Sequence, residues 1–467
     1  MRDRTLTYSL AGLLSLAALP AVSDTLQDVY LLALKNDHQL KADTARYQAG
    51  KENSVIARAR LLPQINGNMN YSDSSSDSSR TVIDIDDETG ALDIKTFDSE
   101  SDSTTTTYSV TLNQPLFNLP AWFGYKQGVS LSEQAEAQFS ADQQALIIRV
   151  SEAYFNVLRA VDNLETSIAE EKALNHRLQQ TKQRFEVGLT AITDVHEAQA
   201  AYDTATAATL QARGNLGIVF EEMEAITGTT LKNIAPLSEK FPVIKPTPAE
   251  RSEWVEFALQ NNFDLKVAKL SSDASRQNAN AKKAAHYPTL TGSLSYQDSD
   301  NESDIAGVPN DSASKTHTVA VRLDVPIYSG GSVSGQRRQA YQQFMQNQEL
   351  YNKAQRDTIQ GARSLHLQVV TNVAQVKARA QAITSSLSAL EATQAGYDVG
   401  TRNLVDVLVA QQNVYEARRN YSTVLYDYVV NTLKLKEVAG ILTPQDVKDL
   451  NQWLTASKSV DRSKYEK

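Results

Sequence analysis

The 467-residue chain contains no cysteine, which excludes a disulfide scaffold, thiolate metal ligands, a cysteine nucleophile and a lipid anchor on an N-terminal cysteine. Basic residues are in the minority, since 46 Lys and Arg face 55 Asp and Glu and the net charge is -9. This balance argues against a nucleic-acid-binding surface, which requires a basic face. After the N-terminus, no stretch approaches the roughly 18 consecutive apolar residues that a membrane-spanning helix needs.

Residues 1–23 have the pattern of a secretory signal peptide. Arg2 and Arg4 precede an apolar core at 10–19, and a small-residue run at 21–23 follows it. A buried N-terminal helix is the alternative interpretation of the same residues. The mature protein is therefore expected to be exported without a membrane helix, so that it can enter a membrane only as a β-barrel.

The mature sequence contains two copies of one unit. Matching segments recur at an offset of 225 residues in the first part of each copy and of 212 residues in the second part. The pairs are 33–41 with 258–266, 63–71 with 288–296, and 185–195 with 397–407. Internal repeats take precedence over the three domains that length alone suggests. The predicted organisation is a signal peptide (1–23), a first repeat (24–235), a Pro-rich linker (236–248), a second repeat (249–450) and a C-terminal tail (451–467).

Four short segments alternate apolar and polar residues with a period of two. They are 64–71, 108–113, 289–296 and 318–325. Such alternation behind a signal peptide predicts the strands of a membrane β-barrel, although each segment alone also fits a soluble amphipathic strand.

Two acidic segments separate these strands. Residues 72–107 hold ten acidic and two basic side chains, and residues 297–317 hold five and one. Their Ser- and Asp-rich composition cannot bury a core, so both are predicted to be solvated loops. Binding of divalent ions near anionic lipid is the alternative role.

The rest of each repeat is predicted to be long helix. No proline occurs in 121–235 or in 327–443. A helix over 121–187 has a length of about 100 Å, so a helical tube is expected rather than a globular core. A heptad seam typical of a coiled coil comprises Val150, Tyr154, Val157, Val161, Leu164 and Ile168.

One tight turn interrupts the long helix of each repeat. Gly188 and Gly400 follow a valine at equivalent positions, and glycine there can adopt the left-handed conformation that ends a helix. Thr193 or Asp194 is then expected to cap the returning helix. Each repeat is thus predicted to run strand, acidic loop, strand, long helix, tight turn and returning helix.

The sequence contains little that points to catalysis. Six histidines are scattered, and His196-Glu197 is followed by Ala200 where a zinc-protease helix needs a second histidine. The glycine-rich stretch 330–335 lacks the lysine of a phosphate-binding loop. We therefore predict a protein that is not an enzyme and uses no cofactor or metal. The polar residues that remain are concentrated at the helix turns: Thr193, Asp194, Tyr397, Arg402 and Asp406.

Four motifs resemble the TolC family of outer-membrane efflux ducts. They are the runs at 151–158, 184–195, 326–331 and 396–408, and the resemblance covers essentially the whole mature chain. It implies a membrane β-barrel joined to a long α-helical coiled-coil barrel, built by a homotrimer with two internal repeats in each chain. Strand counting agrees, because four strands are too few to close a barrel, whereas three chains supply a 12-stranded barrel above a helical tunnel.

The resemblance also implies a function. The trimer is expected to be a channel in the outer membrane of a Gram-negative bacterium, with its helical part in the periplasm, and to serve as exit duct for tripartite efflux pumps and type I secretion. Its implied partners are a periplasmic adaptor (membrane fusion) protein, an inner-membrane pump or ABC transporter, and outer-membrane lipid. The adaptor is expected to dock on the turns at Gly188, Leu189, Gly400 and Thr401. Two alternatives stay open: a passive trimeric outer-membrane porin or adhesin not coupled to a pump, and a soluble periplasmic coiled-coil scaffold.

Positions that match the family's periplasmic gate lie at the same turns. The resemblance implies that Asp194 pairs with Tyr397 inside one subunit. It also implies that Arg402 reaches Thr193 and Asp194 of a neighbour, which closes the periplasmic end. The local alternative is that Asp194 only caps a helix and Arg402 only neutralises carbonyls at the turn.

The constriction beside this gate is expected to carry one acidic ring. Asp406 matches the first of the family's two ring positions, and Val409 stands at the second. With three carboxylates in a trimer instead of six, cation attraction and block are expected to be weaker.

Overall fold

The computed structural model describes residues 24–85, 90, 92–305, 307–455 and 460–462. The predicted signal peptide lies outside the described residues. The chain divides into two compact units. One contains the described residues up to Thr44, Phe139–Phe263 and those from Gln355 onward, and the other contains Ala45–Gln138 and Asp264–Ala354.

Both repeats have the same order of elements: two short helices, a β-hairpin and two long helices. The first comprises α1 (Leu26–Asn36), α2 (His38–Ala59), β1 (Gln64–Ile85), β2 (Leu92–Phe117), α3 (Leu119–Glu186), α4 (Ile192–Thr227) and β3 (Asn233–Ile234). The second comprises α5 (Arg251–Asn261), α6 (Phe263–Ala284), β4 (Thr289–Ile305), β5 (Val308–Pro309), β6 (Ser312–Asp324), α7 (Ser332–Asp398) and α8 (Leu404–Val438). After α8 the described residues form α9 (Pro444–Asn451) and β7 (Val460–Asp461). The short helices before each hairpin are an addition to the predicted order.

The predicted heptad seam lies at the centre of the helical core. Its members Val150, Tyr154, Val157, Val161 and Leu164 are at most 2% exposed, whereas Ile168 is 37% exposed. Burial of each such side chain stabilises the fold by about 1.5–3 kcal/mol. The buried hydroxyl of Tyr154 donates a 2.6 Å hydrogen bond to the carbonyl of Ala235, which satisfies its polar group. The helices of the described residues include none with the length and apolarity needed to cross a membrane.

The long strands form one antiparallel sheet in the order β1–β2–β4–β6, and β5 pairs with the end of β4. The register aligns the predicted apolar side chains in rows, for example Ile65, Leu112, Leu294 and Val319. Ile65, Leu294 and Val319 are exposed on the same face, so the predicted alternation is confirmed. Among the described residues, β1 pairs only with β2 and β6 only with β4, which leaves two free sheet edges.

The prediction of solvated loops at 72–107 and 297–317 was wrong, because most of these residues are strand. β1 and β4 continue well into the two segments, and β2 and β6 begin inside them. Hydroxyl side chains pair across the strands, as between Ser74 and Ser103 at 3.2 Å. Such cross-strand pairs, together with the strand preference of threonine, stabilise a ladder that needs no buried core.

The predicted linker and tail are both anchored in packed structure. β7 forms an antiparallel pair with β3. The guanidinium of Arg462 donates to the carboxylate of Glu221 at 2.7 Å and lies 5.2 Å from the ring centroid of Phe220. In the linker, the carbonyl of Ile244 accepts a 2.9 Å hydrogen bond from the hydroxyl of Tyr428. Residues 456–459 and 463–467 of the predicted tail lie outside the described residues.

Candidate functional site

The turn between α3 and α4 is closed by a left-handed glycine. Gly188 has φ +77°, and its amide donates to the carbonyl of Phe185 at 2.9 Å. The amide of Leu189 donates to the carbonyl of Arg184 at 2.8 Å. These two bonds satisfy carbonyls that the end of the helix leaves without partners, and the backbone angle explains why glycine stands there.

The turn between α7 and α8 repeats this geometry. Gly400 has φ +81°, its amide donates to Tyr397 at 3.1 Å, and the amide of Thr401 donates to Gly396 at 2.8 Å. The hydroxyl of Thr401 donates to the same Gly396 carbonyl at 3.0 Å. The predicted helix-ending role of both glycines is therefore confirmed. The two turns share their two closing backbone bonds, and the second turn adds bonds from Thr401 and Arg402 to Gly396.

Both turns present apolar side chains to solvent. Val187 is 70% exposed, Leu189 is 69% exposed and Val399 is 76% exposed. Exposed apolar side chains at equivalent positions of two turns provide surface that a partner protein can bury.

The two returning helices begin differently. The N-cap of α4 is Ala191, which makes no side-chain cap, so the predicted cap by Thr193 or Asp194 was wrong. Thr193 is exposed, and the carboxylate of Asp194 accepts a hydrogen bond from the hydroxyl of Thr190. The physical reason is that α4 begins at Ile192, two residues earlier than a cap at Thr193 requires.

α8 has a complete capping box instead. The amide of Asp406 donates to the side chain of Asn403 at 2.8 Å, and the amide of Asn403 donates back to the Asp406 carboxylate at 3.4 Å. Asp406 also pairs with Arg402 at 3.9 Å, where the two side chains are 39% and 63% exposed. An ion pair this open to water contributes under about 1 kcal/mol, so it leaves Arg402 able to change partners.

Tyr397 is held by arginines of α3. Its ring lies 5.0 Å from the guanidinium of Arg184 and 5.9 Å from that of Arg177. Burial lowers the pKa of Arg177, and the neighbouring positive charge of Arg184 adds to that effect. In the described chain the hydroxyl of Tyr397 makes no hydrogen bond to Asp194. Sequence reasoning missed both arginines, although their spacing of seven places them on one face of α3.

A small apolar cluster lies beside these groups. Leu178, Ala198 and Leu404 are buried together, and Tyr397 packs against them. This cluster joins α3, α4 and α8 near the turns.

Farther from the turns, ion pairs connect α3 with α8. They are Glu152 with Lys434 at 2.5 Å, Arg159 with Asp427 at 2.6 Å, and Glu170 with Arg419 at 2.7 Å. Between the same two helices, the hydroxyl of Tyr426 in α8 donates to the carboxylate of Asp162 in α3 at 2.9 Å. Burial raises the pKa of Asp162. Toward the turns beyond Glu170, the described residues contain no further ion pair between α3 and α8.

Comparison with known proteins gives consistent matches. The family described as outer membrane efflux protein matches residues 29–229 and 254–441. The chain is 35% identical to outer membrane protein TolC of Vibrio cholerae, over 93% of this chain and 95% of that protein. It is 30% identical to the alkaline protease secretion protein AprF of Pseudomonas aeruginosa, over 95% and 90%. Among solved structures it resembles CusC, with a TM-score of 0.72, 18% identity and coverage of 90% and 92%. No group of three metal-binding side chains occurs in the part of the chain that the structure describes.

Proposed function

Because the chain belongs to the outer membrane efflux protein family, we propose that it is the exit duct of tripartite efflux pumps and of type I secretion. Its location is the outer membrane of a Gram-negative bacterium, with the helical part in the periplasm. The observation that carries the proposal is the pair of matched glycine turns with exposed apolar side chains. The proposal assigns the duct no catalysis and no cofactor, since the energy comes from the pump.

A homotrimer accounts for the two free edges of the sheet. β1 and β6 run in opposite directions, so β6 of one copy can pair with β1 of the next as an antiparallel ladder. In lipid, unpaired backbone groups along such edges are strongly unfavourable. Three copies supply twelve strands, enough to close a barrel with a water-filled lumen. Detergent-extracted protein should contain three chains per particle; a monodisperse monomer that keeps its β-structure contradicts the assembly.

The turns are the proposed docking surface for a periplasmic adaptor (membrane fusion) protein, which connects the duct to an inner-membrane pump or ABC transporter. Gly188 and Gly400 set the shape of the turns, and the exposed faces of Leu189 and Thr401 are offered to the adaptor. A passive porin or adhesin has no use for two matched turns at the far end of long helices, so this observation favours the coupled duct.

The proposed gate uses the part of α8 nearest the turn. Among the described residues, Glu170 with Arg419 is the ion pair between α3 and α8 nearest the turn. Residues 404–418 are held to their neighbours by apolar packing around Leu404 and by a 3.2 Å hydrogen bond from the hydroxyl of Tyr415 to the carbonyl of Ala169. This segment is about 22 Å long at the helical rise of 1.5 Å per residue. Its first turns, before Tyr415, can therefore move while the rest of α8 stays attached to α3.

Contacts between subunits would hold this segment closed. Arg402 exchanges its weak pair with Asp406 for Thr193 and Asp194 of the neighbouring subunit, as the family resemblance implies. Tyr397 contributes through its ring, which the arginines of α3 hold. Asp406 then faces the constriction as a single acidic ring.

The docking proposal is tested by giving the turns a charge. Val187→Asp together with Val399→Asp should abolish efflux-dependent drug tolerance in a host that lacks its own duct, because an adaptor would have to bury two carboxylates. Ile244→Asp is the matched control, since Ile244 is an apolar side chain of the linker that is 62% exposed. Full tolerance in the double variant, with normal amounts of protein in the outer membrane, contradicts the proposal.

A further inference from the structure

Past the rows of apolar side chains, the strands of both hairpins continue with two chemically different faces. One face continues the apolar rows and carries every carboxylate of residues 72–79, 98–107 and 297–304, for example Asp102 and Asp300. The opposite face carries only Ser, Thr, Asn and Gln over the same residues and over 312–316 of β6. We call the second face the hydroxyl face. Composition alone does not require such a separation, which depends on the strand period of two.

Hydrogen bonds connect the hydroxyl face across the strands. Ser74 pairs with Ser103 at 3.2 Å between β1 and β2. The hydroxyl of Thr105 donates to the side chain of Asn301 at 2.7 Å between β2 and β4. These bonds use part of the polar capacity of the face, and no side chain on it is charged over these residues. The charged side chain of Arg80 lies on the same face of β1, directly beyond them.

The apolar rows decide which face lies inside a closed barrel. In the proposed trimer the rows that contain Ile65 and Leu294 face lipid, so the opposite face is inside. Exposure agrees at Ser103 and Asn301, which are half-buried while Asp102 and Asp300 beside them are exposed, and it is reversed at Gln297 and Asp298.

The placement of the carboxylates agrees with this direction. Asp77 lies directly opposite Glu100, and Asp102 directly opposite Asp304. Like charges in such register repel one another, and the repulsion is smallest on a convex face where the side chains spread into water. A concave acidic lining would instead concentrate negative potential where cargo passes.

We propose that the hairpins continue the exit conduit beyond the membrane, with the hydroxyl face as its uncharged lining and the carboxylates on its outer surface. The proposal rests on the homotrimer proposed above. The segment 72–78 alone adds roughly 20 Å along the strand direction. A neutral, hydrogen-bonded wall retains neither anionic nor cationic cargo, which suits a duct that releases polar and amphiphilic molecules of either charge.

The absence of native cysteine makes a direct test available. Ser103→Cys and Asp102→Cys place a thiol on adjacent residues of opposite faces, and Asn301→Cys with Asp300→Cys form a second pair. Purified trimers are inserted in planar bilayers, and a bulky polyethylene glycol maleimide is added to the side that corresponds to the cell exterior. Modification at Ser103 or Asn301 should lower conductance by about half or more, because three polymer chains would occupy a twelve-stranded lumen. Modification at Asp102 or Asp300 should leave conductance unchanged.

The outcomes separate this proposal from the duct itself. Normal wild-type conductance combined with a block from Asp102 and Asp300, or from neither face, overturns the assignment of the lining and leaves the duct intact. A wild-type protein that inserts as a trimer but does not conduct overturns both. The modified fraction is quantified in each case by its mobility shift, which distinguishes a thiol that was not modified from one whose modification does not change conductance. The second pair of variants replaces any variant that fails to assemble.

Discussion

The left-handed conformation of Gly188 and Gly400 leads to a prediction with a defined magnitude. A Cβ added at either position meets no atom within 4 Å, so space is not the constraint. The cost of substitution comes from the positive φ alone and is about 1–2 kcal/mol for a residue with a Cβ. That cost shifts the equilibrium between the native and non-native conformations of each turn by a factor of roughly 5–30 against the native one. A trimer contains both turns three times, so the shift acts at six places in the proposed docking surface.

The perturbation is Gly188→Val together with Gly400→Val. We expect loss of efflux-dependent drug tolerance in a host lacking its own duct, measured as the minimum inhibitory concentration of several exported drugs. Thermal stability and trimer assembly should stay near the wild-type values, since the core around Tyr154 and Leu164 is remote in sequence from both turns. Gly188→Asn with Gly400→Asn should retain tolerance, because asparagine accepts the left-handed conformation.

A contrasting glycine provides the control. Gly440 also has a positive φ of +70°, but a Cβ there would lie 2.3 Å from the backbone of Asn261. Gly440→Asn should therefore destabilise the protein even though the backbone angle is acceptable. Wild-type tolerance in the double valine variant would refute the reasoning. Equal loss with asparagine and valine would show that the turns need the small size of glycine for adaptor contact, and not its conformation.

Two further predictions concern charge and polarity in the helices. Arg402→Ser should give larger and longer-lived conductance in planar bilayers, because Arg402 carries the proposed link between subunits. Tyr397→Phe alone should change conductance little, because the ring and its contacts with the two arginines of α3 are retained. Asp162→Asn should become more stable relative to the wild type as the pH rises from about 4 to neutrality. Burial raises the pKa of Asp162, so its stabilising neutral form is present at low pH and is lost as the pH rises through that value.

Each of these predictions has its own control. For the gate, Arg402→Lys keeps the positive charge beside the turn and should conduct more like the wild type than Arg402→Ser does. Unchanged conductance in Arg402→Ser would leave Arg402 only a local role. For the buried acid, Asp203→Asn changes an exposed carboxylate of α4 and should show no such trend. Thermal unfolding of the extracted trimer measured at several pH values decides the point, and a difference independent of pH would contradict the burial argument.

The parts of the fold that depend on local periodicity could be predicted from the sequence. The heptad seam from Val150 to Leu164 and the glycine turns are local features, and both are present as predicted. The acidic strands were predictable in principle, since Asp298, Asp300, Glu302 and Asp304 alternate with uncharged residues. The loop prediction depends on composition, which describes solubility without describing backbone conformation, whereas the period of two indicates a strand.

Contacts between distant segments could not be predicted in the same way. The arginines around Tyr397 come from α3, more than two hundred residues earlier, and no local signal indicates which aromatic ring they contact. The difference in capping between α4 and α8 could have been predicted from the sequence. Asn403 and Asp406 have the spacing of a capping box, whereas Ala191 has no side chain that can cap a helix.

This difference between the two turns bears on which helix moves. Their glycines and backbone bonds are equivalent, but α8 begins with a box that contributes about 1 kcal/mol and α4 begins without one. A helical segment that moves as a rigid body must keep its first turn intact when it separates from its neighbours. A segment that stays packed needs a cap less, because its neighbours hold the first turn. The capped helix also carries Arg402 beside its start and has no ion pair to α3 in the described residues between that start and Arg419. All three features belong to α8: the capping box, the first turns without an ion pair to α3, and the side chain of Arg402 that can change partners. We therefore expect α8 to be the helix that opens the duct.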